Sequence, residues 1–189
     1  MKLSCKGSVL LTGAALFVMS GALAVAQKND DAGNFNGTGT PKAGDTRFAR
    51  EAAMGGMMEV DLGKLAVQKA SSDRVKQFGQ RMVDDHSKAG DDLKGIAAKD
   101  NLILPSELDA RHKAIVDRFS NLSGTAFDRV YMRDMVKDHQ TDVADFQKEA
   151  NSGSNADLKT FATKTLPTLQ EHLRIARETD DSLGATSRK

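Results

Sequence analysis

Four residues whose side chains can bind a metal ion fall on the apolar stripes of four separate predicted helices. Three are histidines and the fourth is a glutamate: Glu59, His86, His139 and His172. An apolar stripe marks the face of a helix that packs into the core. If the four helices form one bundle, three imidazoles and one carboxylate meet in its interior. Such a set predicts a site for a single transition-metal ion, with zinc, copper or iron as the candidates.

The same four residues could instead form a hydrogen-bonded network that contains no metal. A neutral buried histidine can donate its ring proton to a carboxylate or to a backbone carbonyl, and buried polar groups need such partners. A buried network of this kind can also fix the register of packed helices. The sequence leaves the metal site and the structural network open as alternatives.

Helical periodicity runs through residues 46–181, and no segment alternates like a β-strand. The long predicted helices cover about 46–70, 73–99, 123–150 and 156–179. Asp45 is the expected N-cap of the first, and Ser106 with Asp109 is expected to begin a shorter helix that ends near 119. Two long hairpins joined by about twenty residues predict an all-α, ferritin-like four-helix bundle. The short extra helix lies in the connection between the second and third long helices.

The direction of the third long helix relative to the second depends on whether the short helix spans the bundle, and the sequence leaves it open. Axial levels can still be counted from the two hairpin turns. Glu59 and His86 then differ by about 3 Å, whereas His139 and His172 differ by about 7 Å. The first pair is expected to meet, and the second pair needs a distortion or a longer reach.

A di-iron centre of the ferritin type is not expected. Such a centre takes a glutamate from each of two helices and a Glu-x-x-His motif from each of the other two. The sequence contains no Glu-x-x-His. Asp142, one helical turn after His139, is the other carboxylate near a stripe. Asp85 and Asp138 each directly precede a histidine and are expected to point about 100° away from it.

Two local features are expected to be structural, and a third residue is expected to lie outside the site. Gly55 and Gly56 lie inside the first long helix, where each costs about 1 kcal/mol relative to alanine, so we interpret them as a place where a neighbouring helix packs closely. Pro167 is expected to bend the fourth long helix. His112, on the short helix, is expected at the surface or at the edge of the bundle.

The second and third long helices carry nearly the same five-residue sequence motif. It reads MVDDH at 82–86 and MVKDH at 135–139, and an aromatic residue, Phe78 or Tyr131, lies four positions before each methionine. Aromatic, methionine and histidine thus follow one another at four-residue intervals on one helix face. A methionine near each of two histidines would favour copper, although interior methionines more often fill gaps in the core.

These motifs resemble those of a bacterial family named for a domain of unknown function, DUF4142. The similar runs lie within residues 55–63, 75–88, 122–128, 135–139 and 165–173, and together they cover about 48–176. The resemblance implies an exported, ferritin-like helical domain in a family often labelled as predicted outer membrane proteins. It implies no established activity and assigns no catalytic residue.

The N-terminus is typical of a secretory signal peptide over residues 1–26. Lys2 and Lys6 precede an apolar stretch at 9–25, and residues 24–26 form an Ala-x-Ala cleavage pattern. Cleavage would place the protein in the periplasm or outside the cell; an uncleaved N-terminal helix that anchors the chain is the alternative. Residues 27–45 are predicted to be a flexible tether and 182–189 a disordered tail.

Composition excludes several classes of chemistry for the cleaved chain. Its single cysteine, Cys5, would leave with the signal peptide, which excludes disulfides, a thiolate nucleophile and cysteine-bound metal. The remaining 25 basic and 26 acidic residues argue against nucleic acid as a partner. No membrane span is predicted after cleavage, and no protein partner can be named. Because no nucleophile triad or phosphate-binding loop is present, we predict a binding or structural protein more readily than an enzyme.

Overall fold

The structure, a computed structural model, describes residues 41–186, and within that range it contains five α-helices. They are α1 (Ala43–Lys69), α2 (Asp73–Asp100), α3 (Ala110–Ser120), α4 (Gly124–Ser152) and α5 (Ala156–Thr186). Helices α1 and α2 form one hairpin, α4 and α5 form the other, and α3 lies in the connection between them. The prediction of an all-α, ferritin-like bundle with a short extra helix is confirmed.

The predicted signal peptide, and the tether up to residue 40, lie outside the described residues. Among helices α1 to α5, none combines the length and apolar composition that a membrane crossing requires.

Helices α2 and α4 run in the same direction. The backbone N–H groups of Ser71 and Ser72 donate to the Asp128 carboxylate, so the α1–α2 turn lies beside the start of α4. At the other end of the bundle, the Ser154 N–H donates to Asp45, so the α4–α5 turn lies beside the start of α1. Helix α1 is therefore antiparallel to both α2 and α4. The connection through α3, which packs against α1, returns along the bundle as a crossover.

The helix ends differ from the predicted ones by a few residues. Helix α1 begins at Ala43 with Lys42 as its N-cap, and Asp45 lies one turn inside, accepting the Lys42 N–H at 2.8 Å and the Ser154 N–H at 2.8 Å. The Asp45 carboxylate therefore links the start of α1 to the α4–α5 turn, and Asp45 is not the predicted N-cap. Residues 43–45 of the predicted tether are helical.

Helix α3 begins four residues later than expected, at Ala110. Its N-cap is Asp109, whose side chain accepts the His112 N–H at 2.9 Å, so Ser106 is not the cap. Helix α5 continues past its predicted end at 179 and makes residues 182–186 of the predicted tail helical. The extension has a packing reason, because Thr179 is buried and Leu183 packs against the core.

Two apolar clusters fill the bundle, one toward each end. Phe78, Phe127 and Tyr131 belong to the cluster near the α1–α2 turn, and Phe48 and Phe146 belong to the cluster near the α4–α5 turn. In each long helix one buried polar residue lies between the two clusters. We call these residues the polar layer: Glu59, His86, His139 and His172. The layer crosses the middle of the bundle.

Helices α1 and α2 approach one another closely at Gly63 and Gly79. A Cβ added at Gly63 would lie 2.6 Å from the Gly79 carbonyl oxygen, so no larger residue fits without movement of the backbone. A Cβ added at Gly55 would meet no atom within 4 Å, and one at Gly56 would meet only the His86 ring, at 3.9 Å. The interpretation of Gly55 and Gly56 as a close helix contact is therefore wrong. They border open space.

Candidate metal centre

The four predicted ligands of the polar layer converge in the bundle interior. Their exposed fractions are 1% for Glu59, 7% for His86, 0% for His139 and 1% for His172. The ring centroids of the three histidines lie 5.3–5.7 Å from one another. The Glu59 carboxylate lies between two of the rings, with Oε2 3.0 Å from His86 Nδ1 and Oε1 3.4 Å from His139 Nε2.

The difference of about 7 Å in axial level between His139 and His172 does not keep their rings apart. Side chains on an α-helix lean toward the N-terminus of that helix. Because α4 and α5 are antiparallel, His139 leans away from the α4–α5 turn and His172 leans toward it. The two rings therefore approach one another, and Pro167 lies within a continuous α5.

Hydrogen bonds determine which nitrogen of His139 and of His172 carries the ring proton. His139 Nδ1 lies 3.0 Å from the Met135 carbonyl oxygen, which can only accept, so Nδ1 is the protonated nitrogen. His172 Nε2 lies 2.8 Å from Asp85 Oδ2 and donates to that carboxylate. The two remaining nitrogens, His139 Nε2 and His172 Nδ1, therefore both carry lone pairs. They face one another at 3.3 Å.

Neither ring takes up a second proton at neutral pH, so protonation does not relieve the contact between the two lone pairs. Burial holds the pKa of His139 well below its usual value, and the neighbouring His86 and His172 lower it further. Burial lowers the pKa of His172 to about 4, despite the hydrogen bond to Asp85. Two lone pairs 3.3 Å apart repel, unless a cation lies between them. Two nitrogen ligands of a tetrahedral zinc ion, at about 2.0–2.1 Å from the metal, are themselves about 3.3–3.4 Å apart.

Two further buried atoms of the polar layer make no hydrogen bond among the described residues. Glu59 Oε1 and His86 Nε2 are buried and have no hydrogen-bond partner within residues 41–186. Burial also lowers the pKa of His86, which favours the neutral ring. Buried polar atoms are almost always satisfied, so two unsatisfied atoms in one cluster indicate a ligand from outside the chain.

Acidic groups next to the layer would also be stabilised by a cation. Burial raises the pKa of Glu59 well above its usual value, and the nearby Asp138 raises it further. Burial and Glu59 together raise the pKa of Asp142 in the same direction. One ligand atom each from Glu59, His139 and Asp142 lies within 4.8 Å of the others, and the same holds for the three histidines of the layer. Asp142 is therefore an alternative oxygen ligand.

Asp85 is the residue whose role sequence reasoning missed. It does point away from its neighbour His86, as expected, but it thereby reaches His172 on α5. The pattern that could have identified it is the repeated Asp-His pair, combined with the crossover that places α2 beside α5. His112 lies outside the layer, as predicted, with Nδ1 2.7 Å from Asp109 Oδ1. Met135 belongs to the apolar cluster, like the methionine at the same position of the other repeat.

A cavity of about 640 Å³ leads from the protein surface to the polar layer. It lies between α1, α2 and the connection that contains α3, and Glu59, His86 and Asp142 line its inner part. Gly55 and Gly56 border it on α1, which accounts for the open space beside these two glycines. The cavity provides a route by which an ion can reach the layer.

Comparisons with known proteins agree with this architecture. A family model described as a domain of unknown function, DUF4142, matches residues 31–179. A solved structure titled as a DUF305 fragment from Deinococcus radiodurans is similar in fold, with a TM-score of 0.64 and 14% sequence identity. That similarity covers 77% of this chain and 98% of the fragment. No curated protein matches the sequence.

Proposed function

The chain belongs to the DUF4142 family, and we propose that it is an exported protein that binds one transition-metal ion in the polar layer. The facing lone pairs of His139 and His172 carry this proposal. The two nitrogen atoms, His139 Nε2 and His172 Nδ1, are 3.3 Å apart, which is the spacing of two nitrogen ligands around one tetrahedral ion. A cation between them converts a repulsive contact into two coordinate bonds.

The remaining groups divide into ligands and groups that orient ligands. His86 Nε2 and Glu59 Oε1, the two buried atoms without partners, complete a four-ligand set. Met135 and Asp85 accept the ring protons of the other two histidines. Such hydrogen bonds fix the ring orientation and raise the basicity of metal-binding histidines. A set of three imidazoles and one carboxylate suits zinc, copper or iron.

The proposed role is storage, buffering or redox protection, without catalysis. The polar layer is buried, and within residues 41–186 it contains no paired carboxylates of the di-iron type, so we assign no reaction to it. Export rests on the predicted signal peptide at residues 1–26, and anchoring by an uncleaved N-terminal helix is its alternative. An exported domain that holds a metal ion would buffer that metal in the cell envelope.

A structural network without metal is the second candidate, with a role for the protein as an envelope stress or interaction module. The hydrogen bonds of His172 to Asp85, at 2.8 Å, and of His86 to Glu59, at 3.0 Å, favour it, because they can form in a metal-free bundle. It does not account for the two facing lone pairs or for the two unsatisfied atoms.

Metal analysis separates the two candidates. The full chain is produced with export, purified without chelator, and analysed by mass spectrometry for zinc, copper and iron. We expect about one ion per chain in the wild type, and a loss of most of it in the double variant His86→Ala/His139→Ala. The control His112→Ala removes a histidine outside the layer and should retain the metal. Helical circular dichroism checks that each variant is folded.

A metal content well below one ion per chain in the wild type, unchanged in the double variant, would contradict the proposal. The structural network would then account for the polar layer.

A further inference from the structure

The cavity beside the polar layer has the dimensions of a small-molecule site. Its volume of about 640 Å³ falls within the range of about 300–1,000 Å³ that is usual for such sites. Glycines at 55, 56 and 90 border it, and a Cβ at Gly55 or Gly90 would meet no atom within 4 Å. Each interior helical glycine costs about 1 kcal/mol relative to alanine. Close helix packing does not explain these glycines, two of which lie on α1 and one on α2.

The walls of the cavity are mainly apolar. Leu93, Phe146, Phe161 and Leu169 line it, and so does Leu104 of the α2–α3 connection. All but Leu104 belong to the buried apolar cluster near the α4–α5 turn. A molecule bound there would bury apolar surface against aromatic and leucine side chains, which contributes about 25 cal/mol per Å².

The inner end of the cavity is polar. Glu59 and His86 line it, and the Glu59 Oε1 and His86 Nε2 atoms are buried without a partner within residues 41–186. Both side chains are more than nine-tenths buried. His86 Nδ1 donates to Glu59 Oε2 at 3.0 Å, so the two atoms without a partner are both acceptors. A ligand hydroxyl that enters between the two side chains could donate to them. Apolar walls with a few convergent polar groups are the usual arrangement of a small-molecule site.

The charges that line the cavity argue against an anionic ligand, and its apolar walls argue against a charged ligand of either sign. Each of three lysines that line the cavity forms an ion pair with an acidic residue that also lines it, at 2.8–3.1 Å: Lys64–Asp61, Lys94–Asp91 and Lys113–Glu107. Asp117 and Asp142 line the cavity as well, so its lining carries more carboxylates than lysines. An anionic ligand would be repelled there, and a ligand of either charge would lose its hydration on entry between the apolar walls.

We propose that this cavity binds a small neutral organic molecule with an apolar body and one hydroxyl end, which lies against Glu59 and His86. The ligand shares these two residues with the proposed metal centre but does not require the ion. Binding is therefore measured in protein treated with chelator, so that failure of one proposal is distinguishable from failure of the other.

The experiment uses 4-alkylphenols as probes, titrated calorimetrically into the full chain. Affinity should rise about fourfold for each methylene added from 4-ethylphenol to 4-butylphenol, because each enters an apolar wall. Gly55→Leu should fill the cavity and weaken 4-butylphenol at least tenfold. The variant should fold, because leucine is the better helix former and the site has room for a side chain.

Gly95→Leu is the matched control. Gly95 lies on α2, a Cβ there meets no atom within 4 Å, and the residue does not line the cavity. Its affinity for 4-butylphenol should stay within twofold of the wild type. Equal binding to the wild type and to Gly55→Leu would overturn the proposal, and so would affinity that is independent of alkyl length.

Three analogues test the polar end of the ligand and its charge. Butylbenzene, which lacks the hydroxyl, should compete for bound 4-butylphenol at least fivefold less well. Competition as effective as that of the phenol would overturn the assignment of Glu59 and His86 as its partners. Tighter binding of 4-butylbenzoate or of 4-butylbenzylammonium than of the phenol would overturn the neutral class.

Discussion

Replacement of His139 by leucine distinguishes a metal site from a structural network by the sign of a stability change. His139 is fully buried, and leucine is close to it in volume. In chelator, the substitution removes one hydrogen bond to the Met135 carbonyl, worth about 0.5–1.5 kcal/mol. It also removes the lone pair that faces His172 Nδ1, and it buries an aliphatic side chain, which favours folding by about 1.5–3 kcal/mol.

The net expectation in chelator is a free energy of unfolding that is unchanged or higher by up to about 2 kcal/mol. Zinc should reverse the order of stability of the wild type and His139→Leu. A free concentration of 100 times the dissociation constant stabilises the wild type by about 2.7 kcal/mol. For a domain of this size, each kcal/mol corresponds to about 2–4 °C, so the melting temperature should rise by about 5–11 °C. His139→Leu should show little or no rise.

The assay is thermal and urea unfolding, followed by circular dichroism, in chelator and in buffered zinc. His112→Leu is the matched control, since it removes a histidine on α3 that lies outside the polar layer, and it should retain the zinc response. Two results together would contradict the metal site. In chelator, His139→Leu would lose about 1–3 kcal/mol of unfolding free energy, which is the cost of an unsatisfied buried partner. Zinc would not stabilise the wild type.

Three further predictions follow from individual contacts. Asp85→Asn should weaken zinc binding about 10- to 100-fold, since it removes the carboxylate that orients a histidine of the polar layer; Asp84→Asn, on the exposed side of α2, should not, and competition with a chromophoric chelator measures both. Gly63→Ala should lower the urea-unfolding free energy by about 1–3 kcal/mol, because its Cβ would lie 2.6 Å from a backbone oxygen of α2; an unchanged midpoint would contradict the close approach. Burial and the Asp45 carboxylate raise the pKa of Glu149 from 4.5 to about 7, so the folded protein holds a proton that the unfolded chain has released, and stability should fall as the pH rises from about 4.5 to 7. The fall should be about 1–2 kcal/mol after allowance for partial exposure, and its persistence in Glu149→Gln would contradict this origin.

The fold was largely predictable because each long helix carries a continuous apolar stripe. The periodicity located all five helices, and the two short turns predicted both hairpins. The direction of α4 was not predictable, because it depends on long-range contacts. Asp128 binds the Ser71–Ser72 turn across more than fifty residues, and nothing in the local pattern marks that partnership.

The polar layer was predictable as a set of residues, and its internal geometry was not. Inward placement follows from the helical period, so Glu59 and His86 were expected to meet. The contact between His139 and His172 depends on side chains that lean in opposite directions on antiparallel helices, which a count of residues omits. The glycines at 55 and 56 were misinterpreted because a glycine pair is typical both of close packing and of open space. Only the positions of neighbouring atoms distinguish the two.

Anomalous X-ray scattering at the zinc absorption edge, from crystals grown with one equivalent of zinc, shows directly whether an ion occupies the polar layer. We expect one strong peak per chain inside the polar layer, about 2.0–2.1 Å from His139 Nε2 and from His172 Nδ1. His86 and Glu59 or Asp142 should complete the coordination. Zinc found only on surface groups such as His112 and Asp109, with the polar layer free of anomalous density, would contradict this expectation.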